Sequence, residues 1–191
     1  MSTKNYLSLG IMTGTSLDGV DLSIIKSDGK NQVIFLDGSS YPFPTNIQKS
    51  IYSILGSSAN NKNIIKIENE YTNFIIKKIK YFLRKNKYKI DLIGFHGQTI
   101  THKPKKKITW QIGSAKKLYE TLKIKTFYDF RSNDVLNGGN GAPLTPIFHK
   151  LLKKKYKISN VVFVNLGGIS NVTIFEKNIM RSFDCGPCCS F

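Results

Sequence analysis

The sequence predicts an α/β protein built on a sheet of mixed strand directions, and three observations carry that expectation. Three strand-like runs joined by turn signals open the chain, as an antiparallel meander does. Helix-like and strand-like segments then alternate, which is the pattern of a sheet flanked by helices. Near Asn160 the order strand, glycine turn, strand begins again, parallel to Gly10–Ile24.

The elements follow in order. Tyr6–Met12 alternates weakly and reads as a strand, and Thr13–Gly19 is rich in turn residues. Val20–Ile25 resumes with period-two alternation, and Asp28-Gly29 marks a turn before a strand from Gln32 to Leu36. Pro44 to Leu55 fits a helix ended by Gly56. Ile64, Ile67, Tyr71, Phe74, Ile75, Ile79 and Phe82 recur at spacings of three and four, so one apolar stripe of a long helix is expected. Leu92–Phe95 is a short apolar strand leading into His96-Gly97-Gln98-Thr99. Thr109–Ile112 is a strand, Gly113–Leu122 a helix, and Ile124–Tyr128 a strand of the buried type. A helix begins near Pro146 and includes Leu151. Val161–Val164 opens the second meander, and Met180–Phe183 would complete it.

Composition bounds the class. The 191 residues suffice for one domain with a real core and the start of another, and 40% hydrophobic with 12% aromatic content suits a soluble globular chain. No apolar run reaches membrane-spanning length, and Met1–Asn5 lacks the features of a signal peptide, so the cytoplasm is the expected compartment. The net charge of +17 raises nucleic acid as a partner. All but three of the 29 basic residues are lysine, the poorer choice for bidentate phosphate or guanine recognition, and they form no RNA- or DNA-reading motif. Compositional bias accounts for the charge, and no nucleic-acid or membrane partner is expected.

Gly14-Thr15-Ser16-Leu17-Asp18-Gly19-Val20-Asp21 joins two strands. A tight glycine turn gathers backbone amides into an anion-holding concavity, its hydroxyls can donate to phosphate oxygens, and Asp18 and Asp21 are candidate Mg²⁺ ligands. The same residues also suit an ordinary hairpin, and no Lys-Ser or Lys-Thr follows to make a P-loop.

Six further blocks follow in order: Gly94-Phe95-His96-Gly97-Gln98-Thr99, Gln111-Ile112-Gly113, Asp129-Phe130-Arg131-Ser132-Asn133-Asp134, Gly138-Gly139-Asn140-Gly141-Ala142-Pro143-Leu144, Asn165-Leu166-Gly167-Gly168-Ile169-Ser170-Asn171 and Phe183-Asp184-Cys185-Gly186-Pro187. Together the seven blocks resemble those of the anhydro-N-acetylmuramic acid kinases, and the resemblance covers essentially the whole chain. It implies the fold group of actin, sugar kinases and Hsp70, in which two ribonuclease-H-like lobes close over ATP and substrate. Residues 1–157 would form the first lobe, a mixed sheet flanked by helices, and 158–191 the first strands of a truncated second lobe. The two glycine turns, 14–21 and the one holding Gly167 and Gly168, would be the two phosphate-binding hairpins. The implied reaction opens the 1,6-anhydro ring with water while ATP phosphorylates O6, giving N-acetylmuramic acid 6-phosphate in peptidoglycan recycling. The resemblance also suggests a homodimer.

Within that family reading Asp184 is the expected base for the attacking water. Arg131 would clamp the lactyl carboxylate, with a surface salt bridge as the alternative. His96 and Gln98 either line the sugar site or are satisfied within the fold. Asp134 is placed with them as a substrate residue, and the Gly138–Gly141 loop either approaches substrate or simply connects.

After Gly186-Pro187 the family pattern is lost in Cys188-Cys189-Ser190-Phe191. Cys185, Cys188 and Cys189 raise zinc or redox chemistry, but no second ligand pair accompanies them and His102 and His149 are distant in sequence. A frameshift or premature stop explains the break better. The expected consequence is three strands with no helix over them, weak ATP binding and no kinase activity, unless a separately encoded piece completes the second lobe. An inactive gene fragment and a lysine-rich nucleic-acid-binding protein are the alternatives.

Overall fold

The structure is a computed structural model that describes residues 4–58, 62–177 and 179–188. Its main sheet opens with β1 (Tyr6–Met12), β2 (Gly19–Ser27) and β3 (Val33–Pro42), paired antiparallel as the turn signals predict. Alternation decides which side packs: Leu9 and Ile11 on β1, and Val20, Leu22 and Ile24 on β2, all turn into the core and are at most 3% exposed. A bulge opposite Ile24 and Ile25 lets β3 run to Pro42, beyond the predicted end at Leu36.

Two helices cover that apolar face. The first, α1 (Thr45–Tyr52), buries Ile47 and Ile51. It stops three residues before the predicted end, and the chain turns through Gly56, whose amide donates to the Ile100 carbonyl at 2.8 Å. The second, α2 (Ile64–Asn86), buries six of the seven predicted stripe residues together with Thr72 and Ile76. Phe74 is only partly buried and packs on Phe43 with ring centres 5.3 Å apart.

The sheet grows on its other side through β4 (Leu92–Phe95), parallel to β1, and β7 (Lys125–Tyr128), parallel to β4. The strand order is β3-β2-β1-β4-β7, the mixed arrangement expected of a ribonuclease-H-like lobe. Strand β7 departs from its predicted buried character, since Phe127 and Tyr128 are 50% and 63% exposed. The cause is its place at the sheet edge, where among the described residues β4 alone pairs with it.

Between β4 and β7 lies an antiparallel pair, β5 (Gln98–Lys103) with β6 (Ile108–Ile112). The sequence reading recognised β6 and not β5. The helix α3 (Ala115–Leu122) then starts at Ser114, whose Oγ accepts the Lys117 amide at 3.1 Å. The short α4 (Ser132–Leu136), also unforeseen, packs against β6.

The second meander forms as expected: β8 (Val161–Asn165), β9 (Ile169–Glu176) and β10 (Ile179–Pro187) make a separate three-stranded antiparallel sheet. The expectation that no helix would cover it is corrected. The helix α5 (Pro146–Tyr156) lies on one face, where His149 stacks on Phe163 at 4.5 Å and bonds Thr173 at 2.9 Å, and Lys153 sits over Phe175. Thr173 and Phe175 are buried there. Val162 and Val164 on the other face are 53% and 58% exposed. Among the described residues no helix is long and apolar enough to cross a membrane.

Candidate functional site

The turn from Thr13 to Asp18 is held from several sides. Gly14 O accepts the Leu17 amide at 3.3 Å, and Leu17 takes a left-handed φ of 56° that buries its side chain. Gln48 Nε2 donates to the Leu17 carbonyl at 2.8 Å. Asp18 Oδ1 accepts from the Ser16 hydroxyl and the Gly19 amide, both at 2.9 Å. Gly19 is required by crowding: a Cβ there would stand 2.4 Å from the Tyr41 carbonyl oxygen. Thr15 and Ser16 remain exposed beside this turn, and Val20 anchors its exit in the core.

A run of hydrogen bonds ties this turn to the residues after β4. Buried Gln98 donates Nε2 to the Gly14 carbonyl at 3.2 Å, while its Oε1 is buried without a partner among the described residues. Thr13 Oγ1 donates to the Gly97 carbonyl at 3.1 Å and accepts from the Tyr71 hydroxyl at 3.0 Å. The same Gly97 carbonyl lies 2.7 Å from His96 Nδ1. Gly97 has φ 76°, and a Cβ would meet the Ile112 carbonyl oxygen at 2.6 Å.

His96 passes the connection to Arg131. Arg131 Nε donates to His96 Nε2 at 2.8 Å, and Nη1 donates to the Gly141 carbonyl at 2.6 Å. A guanidinium can only donate, so Nε2 is the bare nitrogen of His96 and Nδ1 carries the hydrogen given to Gly97. Burial, then the Arg131 charge, pushes His96 down to about 4, against the opposing effect of the Gly97 bond. It is a neutral imidazole at neutral pH with both nitrogens engaged.

Arg131 is half-buried and donates to His96 and to the Gly141 carbonyl. Its pKa is lowered by burial and partly restored by Asp184, so the guanidinium remains cationic. Asp134 supports the following loop, accepting the Gly141 amide on Oδ2 at 2.6 Å. A Cβ on Gly141 would meet Val135 Cγ2 at 2.6 Å, and one on Gly139 would overlap the Asp134 carboxylate at 2.2 Å. Both glycines are thus fixed by close packing.

Asp184 stands on β10 opposite Asn171, at a bulge beyond which Ser170 Oγ donates to the Gly186 carbonyl at 3.0 Å. Its negative charge raises the pKa of Arg131 and of His102, each more than fifty residues away in sequence. The turn holding Gly167 and Gly168 joins β8 to β9, and the Gly168 carbonyl accepts the Cys188 amide at 3.2 Å. Cys185 is an exposed thiol, and Cys189 lies outside the described residues.

Two residues here were not among the site residues expected from the sequence. His102 on β5 bonds Thr109 Oγ1 through Nδ1 at 2.9 Å and lies within the field of Arg131 and Asp184. Burial, then Arg131, holds its pKa below the usual histidine value, opposed by a bond to the Asn140 backbone and by Asp184. Trp110 on β6 lines a cavity of about 180 Å³ with His96, Gly97, Gln111, Tyr128, Asp129 and others.

The carboxylates near the turn do not form a closed metal cage. Asp18 Oδ1 is engaged as described, Asp21 Oδ1 accepts from Ser40, and among the described residues no group of three or more His, Cys, Asp or Glu side chains gathers to hold an ion. Two exposed carboxylates fit the mode in which Mg²⁺ keeps its waters and is carried largely by phosphate oxygens.

The family model for anhydro-N-acetylmuramic acid kinase matches residues 6–191. A Pelagibacter ubique protein of that name is 44% identical over 195 residues, covering 96% of this chain and 52% of the relative. A namesake from Zymomonas mobilis is 40% identical, with 95% and 53% covered. One from Bradyrhizobium diazoefficiens is 36% identical, with 94% and 52% covered. The chain spans about half the length of the curated relatives it matches.

Proposed function

Because the chain belongs to the anhydro-N-acetylmuramic acid kinase family, we propose that it carries the sugar site and one phosphate turn of an ATP-dependent anhydro-N-acetylmuramic acid kinase. One observation carries the reading. The turn at Gly14, the His96–Arg131 pair and the Gly141 loop are joined by hydrogen bonds, and Asp184 stands within electrostatic reach of the arginine.

In the proposed reaction Asp184 accepts a proton from water as that water bonds to C1 of the sugar. The C1–O6 bond breaks, O6 takes the γ-phosphoryl group of ATP, and ADP leaves. The product is N-acetylmuramic acid 6-phosphate, and the proton on Asp184 returns to solvent. Arg131 holds the lactyl carboxylate, with its orientation set by His96 and Gly141. Thr15, Ser16 and the amides of the 14–21 turn receive phosphate oxygens, and Gly167 and Gly168 form the second such turn. Mg²⁺ would be held between the phosphates and Asp18 or Asp21, where it neutralises charge on the transferred group. Gln98 and Asp134 act by holding the turn and the Gly141 loop in place. The reaction belongs to peptidoglycan recycling in the cytoplasm, where ATP is supplied.

Phosphoryl transfer depends on closing both phosphate turns over the nucleotide. Residues 1–191 alone are therefore expected to turn over poorly, and the half of a relative that this chain does not match is expected to restore the reaction when supplied in trans. The test is ³¹P NMR of sugar, ATP and Mg²⁺ with the chain alone and with that half added. A C6 phosphomonoester formed only by the pair, and lost in Asp184→Asn, supports the reading. A pair that associates and binds both substrates yet forms no phosphomonoester contradicts it.

A further inference from the structure

Away from the turns assigned to sugar and phosphate, lysines from two elements converge on a cavity of about 610 Å³. Lys150, Lys153, Lys154 and Lys157 recur along α5 and its C-cap at spacings of three and four, which sets them on one face of the helix. Lys30 reaches the same space from the β2–β3 turn. That turn is fixed from within, since Asp28 Oδ1 accepts the amides of Lys30, Asn31 and Gln32 at 2.9, 2.8 and 2.9 Å. Lys154 Nζ ties the helix to the turn by donating to Asn31 Oδ1 at 2.7 Å, and an ammonium has two further hydrogens to give.

Like charges three and four apart on a helix repel one another. Lys153 and Lys154 recover part of that cost from the helix dipole in the last turn, whereas Lys150 and Lys30 lie outside it. Among the described residues the one ion pair is Lys116–Glu120, so no carboxylate pairs with the five ammonium groups around the cavity. Ile147, Leu151 and Ile158 complete the lining with apolar surface, and Ile147 is 79% exposed. The volume falls in the range of small-ligand sites, roughly 300–1,000 Å³. We propose that this cavity binds a small organic oligophosphate, its phosphates among the lysines and its organic body over Ile147, Leu151 and Ile158. Lysine serves phosphate as a point charge and needs no bidentate geometry. The site is separate from the Gly14–Asp18 turn, because β2 carries the chain roughly 25 Å from Gly19 to Ser27 before Lys30 is reached. The proposal does not depend on the kinase reading.

The experiment titrates the ¹⁵N-labelled 191-residue chain, without Mg²⁺ and at physiological ionic strength, with inorganic tripolyphosphate and with ATP. Amide shifts at Asn31, Lys154 and Lys157 report this cavity, and those at Thr15 and Ser16 report the glycine turn. Saturable shifts at the first three residues are expected with both compounds, at several-fold lower concentration for ATP. Lys150→Gln combined with Lys154→Gln should weaken that binding about tenfold. Lys105→Gln combined with Lys106→Gln removes as much charge between β5 and β6 and should change it by less than about twofold. If the first pair does not fold, Lys30→Gln on its exposed turn replaces it, with a weakening of about threefold expected. No saturable shift at Asn31, Lys154 and Lys157, equal weakening by the two pairs, or equal affinity for the two compounds overturns the proposal. So does a short single-stranded DNA that displaces tripolyphosphate from these residues at lower concentration than ATP does, which would make the surface a nucleic-acid contact. The kinase reading stands or falls separately, on the ³¹P measurement above.

Discussion

The Nε of Arg131 donates to Nε2 of His96 over 2.8 Å, which fixes one side chain's orientation and the other's tautomer. An imidazole that must accept from a cation resists its own protonation, and burial adds to that resistance. NMR titration of the native chain should find His96 titrating near pH 4. In Arg131→Ala, which removes the positive charge and opens the site, the value should move upward toward that of a free histidine. A His96 that titrates near 6.5 in the native chain would contradict the arrangement.

The same pair predicts a pH dependence of stability. His96 binds its proton less readily in the folded chain than in the unfolded one. Its contribution is full above about pH 6.5 and is lost as pH falls toward 4, amounting to something on the order of 3 kcal/mol at most. Denaturant unfolding across that window should show the native chain losing stability faster than His96→Gln, which cannot titrate. Parallel pH curves for the two would rule the effect out.

Much of the first lobe was legible because its signals are local. The β1–β3 meander rests on period-two alternation and turn residues, and α2 on an apolar stripe from Ile64 to Phe82. The β5 strand was not legible, since Ile100 is the lone apolar residue in Gln98–Lys103 and pairing with β6 supplies what the segment lacks. Missing β5 also hid His102, whose partners come from β6 and from the loop at Asn140. The run Ile124–Tyr128 looked buried because apolar content does not reveal that a strand will stand at an edge. Which side chains Arg131 would meet depends on the tertiary fold, as no local pattern joins residues 96, 131, 141 and 184.

Crowding at Gly19 yields a matched pair of substitutions. Gly19→Ala would drive a methyl group to 2.4 Å from the Tyr41 carbonyl, forcing β2 and β3 apart where the Gly14–Asp18 turn enters β2. A loss of about 2 kcal/mol or more is expected, whereas Gly10→Ala, whose added methyl would come no closer than 3.8 Å to the Ser23 carbonyl oxygen, should cost well under half of that. Chemical denaturation measures both, and equal costs would refute the crowding.

The uncovered face of β8–β9–β10 should make the 191-residue chain self-associate. Val162, Val164 and Phe183 are 53%, 58% and 49% exposed there, beside the open edge of β8. The double substitution Val162→Lys, Val164→Lys is expected to lower the apparent mass in light scattering at equal concentration. Unchanged scattering would place the association elsewhere.

The central claim, that Arg131 anchors a sugar site joined to the phosphate turn, is tested most directly by calorimetric titration of the 191-residue chain with anhydro-N-acetylmuramic acid. Saturable binding is expected in the native chain, weakened in Arg131→Ala by about tenfold to a hundredfold, as loss of a charge-assisted clamp implies. Equal affinity in the two, with both folded, would contradict it.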